Sequence, residues 1–380
     1  MSHASSRQLT ALGFMAGTSL DGVDAAVIVS DGMGAVEAGP CLHMPYDRDT
    51  KIAVTRATKA ALEGRETAQE ITKAIDLVTS AHIRTAQKLM EQHYLTAKEI
   101  DIIGFHGQTI LHRPKNQRNL VGRSWQIGAG AVLAQELKID VVDDFRAADI
   151  AAGGEGAPFA PVYHNALVRA QAPDGPVCVL NLGGVGNVTF VPEDGLESGL
   201  VAFDTGPANG LIDQWMELKT GAGMDEDGKM AAKGKVNEEA LQLMALNPYL
   251  RRPPPKSLDR YDFKLAQVEG LNVEDGAATL TAFTAECVAR AADLLPAPPI
   301  GWVICGGGRH NPVMMQALED RLEAPIKIAE DVGWQGDFIE AQCFAYLAIR
   351  SLKKLPLSFP KTTNVPTPLT GGIYHKGRGL

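Results

Sequence analysis

The chain has no pair of cysteines at CxxC spacing; its five, Cys41, Cys178, Cys287, Cys305 and Cys343, are scattered and odd in number. That is the usage of a reducing cytoplasm, not of a disulfide framework. Long apolar runs are missing as well. No window approaches the roughly 18 consecutive apolar residues of a membrane helix, and the opening MSHASSRQLTALG has no apolar signal core. A cytoplasmic protein with no membrane partner is the expectation. Clustered basic residues are also absent: 36 Lys and Arg against 45 Asp and Glu leave a net charge of -9. Nucleic acid is therefore not expected as a partner, because phosphate neutralisation needs grouped cations. Small anions stay open as ligands, since backbone amides and a few local cations bind them.

Glycine, by contrast, is plentiful, 39 in 380 residues, and gathers at particular bends. A chain this long exceeds what one hydrophobic core usually supports, so two domains are expected. LGFMAG and DAAVIVS read as strands flanking the bend GTSLDG, the second being the nearly continuous apolar run of a strand buried on both faces. Residues 58 to 94 read as a helix with Ile71, Ile75, Val78, Ala86 and Leu89 near one face. IDIIGFHGQT gives another strand, ending in glycine, and so does KIDVVDDF. Beyond the punctuating AAGGEGAP, VCVLNLGGVGNVTFVPEDG repeats the grammar of the opening: strand, glycine bend, strand, Asp-Gly. LVAFDTG supplies a third strand, after which helices and strands alternate. Two α/β domains of shared architecture, each begun by a hairpin, follow from this pattern.

A glycine-rich bend lets backbone amides approach an anion closely, and such a concave set of N–H groups is a phosphate cradle. GTSLDG is not a Walker A loop, because it lacks GK[ST] and leads into a strand. Alone, it reads equally as a hairpin that turns on glycine. A second candidate, NLGGVGN with Gly183 and Gly184, stands in the corresponding place of the other half, and CGGGRHNP with Gly306 and Gly307 follows. Two such hairpins suit a triphosphate held between domains, with the third glycine cluster leading into a helix where a nucleoside lies.

GFMAGTSLDGVD, GFHGQTILHRP, DFRAADIAAGGEGAPFAP, LNLGGVGNVTF, AFDTGPAN and ICGGGRHNP occur in that order. Together they closely resemble the anhydro-N-acetylmuramic acid kinase family of the actin and sugar-kinase superfamily. The resemblance implies a two-domain actin-like, ribonuclease H-like sugar-kinase fold with an interdomain cleft. It implies an ATP-dependent enzyme of cell-wall recycling that opens the 1,6-anhydro ring with water and phosphorylates the freed 6-oxygen. Gly17, Thr18, Ser19, Leu20, Asp21, Gly22, Val23 and Asp24 would form the ATP phosphate loop, and Asp204 the catalytic base. A homodimer is implied by family likeness alone. The domain edges expected are 1–140 with about 356–380 for the N-terminal lobe, and 141–355 for the C-terminal one.

Each of these residues also has a plainer role. Asp204 is the kind of residue that hydrogen-bonds the turn amides of Thr205 to Asn209. Asp21 either holds Mg²⁺ through water or only shapes its hairpin. His106 either meets substrate or orients its loop through a backbone hydrogen bond. Arg146 suits the lactyl carboxylate of a muramic acid, because guanidinium and carboxylate pair bidentately; its alternative is a salt bridge to Asp143, Asp144 or Asp149. Glu340 either faces the cleft or is a first-turn acid favoured by the helix dipole. Two positions depart from the family pattern, Ala16 where serine is expected and Ala208 where glycine is usual. The latter requires that position to have no need of positive φ. The run RRPPPKSLDRYDF, 251 to 263, reads as a semi-rigid loop near the cleft. Two other classes stay open: a nucleotide-dependent actin-like protein that binds a partner, and an anhydro-sugar hydrolase that needs no ATP.

Overall fold

Apolar strands joined by glycine bends and crossed by helices organise the chain, of which the computed structural model describes residues 7–17, 19–113, 122–258 and 263–377. In chain order the strands are β1 (Leu9–Ala16), β2 (Gly22–Ser30), β3 (Val36–Pro45), β4 (Ile102–Arg113), β5 (Arg123–Ile127) and β6 (Val141–Asp143). They continue with β7 (Val177–Leu182), β8 (Val185–Val191), β9 (Val201–Pro207), β10 (Gly301–Cys305), β11 (Ile326–Ile328) and β12 (Ile373–His375). The chain forms two compact units, Met1–Gln171 with Phe338–Leu380, and Ala172–Asp337.

In the first unit the sheet order is β12-β6-β4-β1-β2-β3, with β5 paired to β4. β1, β2 and β3 form an antiparallel meander, while β4 lies parallel to β1 and β6 parallel to β4. The second unit has the order β11-β10-β7-β8-β9. Again three strands meander, β7 to β9, and two more, β10 and β11, are added in parallel. With β5 and β12 set aside, both sheets follow the ribonuclease H-like order in which the meander's first strand sits at the centre. The shared architecture expected from the two hairpins is thus present in the strand pairing.

The unit edges do not coincide with those expected near 140 and 356. The helices Pro161–Ala170 and Ile339–Leu352 both belong to the first unit. The second of these packs on β1, β2 and β4. Gly13 in β1 and Gly104 in β4 make that approach possible, because a Cβ on either would collide with the helix backbone at Ala341 O or Phe344 O. The helix expected over 58 to 94 is two, Arg48–Leu62 and Gln69–Gln92, the first ended by Gly64 at φ 73°. The strand ending in glycine at GFHGQT instead runs on through Gly107 to Arg113.

Each unit has its own core. Phe14 and Phe105 anchor one, with His82 edge-on to both at centroid distances of 5.4 and 4.9 Å. Phe203, Trp215 and Phe283 anchor the other. Trp215 Nε1 donates to Val273 O at 2.9 Å, so its buried N–H is satisfied.

Candidate active site

The first hairpin turns between β1 and β2. Leu20 takes φ 58° at the bend, and its N–H donates to Gly17 O at 3.3 Å. Asp21 is exposed; its Oδ1 accepts from the Ser19 hydroxyl at 2.8 Å and the Gly22 N–H at 2.9 Å. The bend is pinned from β4, where Gln108 Nε2 donates to Gly17 O at 3.0 Å and Gln108 Oε1 accepts from the Tyr46 hydroxyl at 3.2 Å. Neither Gln108 nor Tyr46 was singled out in the sequence, although Gln108 stands in the GFHGQT motif. Gly22 and Val23 are already strand residues, and the Val23 side chain is buried in the first core, so only its main chain can meet a ligand. Asp24 pairs with His43 at 2.7 Å. Thr18 lies outside the described residues.

Arg146 and His106 form a second cluster in this unit. All nitrogens of a guanidinium are donors, so His106 Nε2 accepts from Arg146 Nη2 at 3.0 Å and Nε at 3.3 Å. His106 Nδ1 therefore carries the proton and donates to Gly107 O at 2.9 Å. Burial, with the adjacent guanidinium adding to it, holds His106 well below its ordinary pKa, and the ring is neutral. Arg146 Nη1 donates to Gly156 O at 2.6 Å, and its guanidinium lies 5.7 Å from the Phe159 ring centre. Among the described residues no carboxylate forms an ion pair with it. Asp149 instead accepts from Gly156 N–H at 2.8 Å and the Thr363 hydroxyl at 2.6 Å, and Asp143 pairs with His375 at 2.8 Å. The salt-bridge alternative for Arg146 is thus set aside. Glu340, second residue of the helix Ile339–Leu352, reaches solvent. The surrounding protein nonetheless raises its carboxyl above the usual range, and Arg146 offsets part of that.

In the second unit Asp204 sits on β9, half-buried. Its Oδ2 accepts from the Leu258 N–H at 2.8 Å, its own N–H donates to Lys256 O at 3.0 Å, and its carbonyl accepts from the Tyr249 hydroxyl at 2.8 Å. The turn amides of Ala208, Asn209 and Gly210 point elsewhere, donating to Gly184 O, Gly183 O and Gly184 O at 3.0 to 3.1 Å. The plainer role for Asp204 therefore does not extend to those amides. Ala208 has φ -119°, so the residue that departs from the family pattern stands where no positive φ is needed. Gly183 and Gly184 carry neither a positive φ nor a crowded Cβ direction, and Gly307 is likewise open. Nothing among the described residues demands glycine there, which is how a bend looks when an outside group must come close. Gly306 differs: its φ is 77°, and a Cβ would collide with Asn181 Oδ1, so its glycine is structural.

A doubled ribonuclease H-like sheet, glycine bends at its hairpins and an aspartate on the third strand of the second sheet define a member of the actin and sugar-kinase superfamily. The chain belongs to the anhydro-N-acetylmuramic acid kinase family, whose sequence model matches residues 9–376. It is 48% identical over 364 residues to the anhydro-N-acetylmuramic acid kinase of Rhodospirillum rubrum, covering 96% of this chain and 93% of that one. It is 47% identical over 371 residues to that of Rhizorhabdus wittichii, covering 97% and 99%. Among solved structures, the ADPNP-bound activator of the 2-hydroxyisocaproyl-CoA dehydratase from Clostridium difficile aligns at 12% identity with TM-score 0.47, covering 91% of this chain and 96% of that one.

Proposed function

We propose that the chain opens 1,6-anhydro-N-acetylmuramic acid with water and transfers the γ-phosphoryl group of ATP to the freed 6-oxygen, giving N-acetylmuramic acid 6-phosphate and ADP in cell-wall recycling. The observation that carries this reading is the family match over residues 9–376. In it Asp204 is the general base. Its carboxylate, oriented by the Leu258 N–H, takes a proton from water as the oxygen bonds to the anomeric carbon. The bond from that carbon to the 6-oxygen breaks, and the electron pair left on the 6-oxygen attacks the γ-phosphorus as the bond to ADP breaks. One base serves both steps, and no acid is needed for a leaving oxygen that phosphate captures.

Arg146 would receive the lactyl carboxylate, with His106 as the neutral acceptor that turns the guanidinium, and Glu340 would hydrogen-bond the sugar. The bend from Gly17 to Asp24, with Gly183, Gly184 and Gly307, would give main-chain contacts to the nucleotide. Gly306 would shape the third bend. Mg²⁺, when bound, neutralises charge on the transferring phosphoryl group. No group of three His, Cys, Asp or Glu among the described residues is arranged to hold an ion directly. Exposed Asp21 fits a water-mediated role, since Mg²⁺ keeps several of its waters.

A cytoplasmic location suits five scattered cysteines with no CxxC pair, and among the described residues no helix is long and apolar enough to cross a membrane. A homodimer is proposed from family likeness; light scattering at the mass of one protomer would contradict it.

The assignment of the base is tested with Asp204→Asn. Turnover should fall by about 10² to 10⁴, while calorimetry should find ATP binding unchanged. Turnover near that of the wild type would remove Asp204 from the role.

A further inference from the structure

We infer that Lys256 is a positioning residue for Asp204, its ammonium group acting as the clamp that holds segment 249–258 against β9; this rests on the reading of Asp204 as the base. Lys256 is 1% exposed, an unusual place for an ammonium group with which no carboxylate among the described residues forms an ion pair. Its Nζ donates to Tyr249 O at 3.1 Å, with Leu250 O at 3.5 Å. It also lies 4.6 Å from the Tyr249 ring centre and 5.4 Å from that of Phe203.

Those partners are the ones that hold Asp204. Phe203 precedes it on β9, Tyr249 donates its hydroxyl to the Asp204 carbonyl, Lys256 O accepts the Asp204 N–H, and Leu258 N–H fixes the carboxylate. A single cation thus ties the start of the segment to its end and to the strand that carries the base. Cation–π contact and charge-assisted bonds to carbonyls are the interactions an ammonium makes best when water is excluded.

Burial works against the charged form of this lysine. Burial lowers the Lys256 pKa to about 8, with Arg252 lowering it and Cys287 and Asp204 raising it. A lysine whose pKa falls on folding disfavours the fold wherever it is charged, so stability rises with pH between about 8 and the ordinary value near 10.4.

The test compares Lys256→Met, which keeps the apolar stem, with Lys219→Met. Lys219 also lies over an aromatic ring, 4.5 Å from the Trp215 centre, and donates to Glu269 O at 3.0 Å, yet does not touch the Asp204 segment. Lys256→Met should lose about 10- to 100-fold in kcat, the scale of a slightly misplaced catalytic group. Its KM for ATP should stay within about twofold of the wild type. Wild-type kcat should fall as pH rises through about 8, and that fall should be absent from the variant. Lys219→Met should match the wild type. Lys256→Met with wild-type kcat and an unchanged alkaline limb overturns the inference. If that variant does not fold, Tyr249→Phe, which removes only the hydroxyl on the Asp204 carbonyl, is measured instead; wild-type kcat in it likewise overturns the clamp. A wild-type enzyme that forms no ADP or sugar phosphate would overturn the proposed reaction along with it.

Discussion

Arg146 illustrates how far single residues can be read. Its type and its place in DFRAAD point to a carboxylate ligand, but only the folded structure excludes Asp149, bound to Gly156 and Thr363, and Asp143, paired with His375. Replacing it with lysine keeps the charge and loses the planar fork that reaches His106 and Gly156 together. The expected result is a sugar KM raised about 10- to 100-fold with the ATP KM little changed; steady-state kinetics with each substrate varied would reveal the opposite pattern if the assignment is wrong. Asp204 was legible for the same reason, a carboxylate in a recognisable motif. Gln108, Tyr46 and Lys256 were not, because each acts by a hydrogen bond or ring contact that no local spacing encodes. Gln108 reaches back 91 positions to Gly17.

At the scale of elements, the bends were visible and their purposes were not. Glycine looks alike in sequence whether it admits a helix, takes a positive φ or leaves room for a ligand. Gly104 is of the first kind, since a side chain there would meet the helix at Phe344 O. Gly184 is proposed to be of the third, with nothing among the described residues within 4 Å of its Cβ direction. Gly104→Ala should therefore lower stability by about 1 to 3 kcal/mol or more, as overpacking does, read as a drop in Tm without ligand. Gly184→Ala should leave Tm unchanged and weaken ATP binding in calorimetry. Equal Tm values for both variants would refute the distinction. The helix expected over 58 to 94 failed on a similar ambiguity: Gly64 was absorbed into the pattern where it ends one helix.

For the whole molecule, the duplication could be read from two hairpins of like grammar, because an antiparallel meander depends on short-range turns. The unit edges could not, since the helix Ile339–Leu352 returns to the first sheet through tertiary packing on Gly13 and Gly104. Packing also sets the response of the first unit to acid. His82 and His164 are buried there and burial lowers both to about 4. Unfolded histidine binds its proton near 6.5, so between those values the unfolded chain holds more protons and stability falls as pH drops. Each residue should contribute a loss of about 2 kcal/mol between pH 7 and pH 5. Urea unfolding at the two values checks this, and equal stability would contradict it. The central claim is the coupling of ring opening to phosphoryl transfer. It is tested most directly by incubating the purified chain with 1,6-anhydro-N-acetylmuramic acid, Mg²⁺ and ATP in ¹⁸O-water and analysing early product by mass spectrometry. The account predicts one ADP for each sugar 6-phosphate, with ¹⁸O at the anomeric carbon and none in the phosphate ester. ADP without sugar phosphate, or opened sugar without ADP, would contradict it.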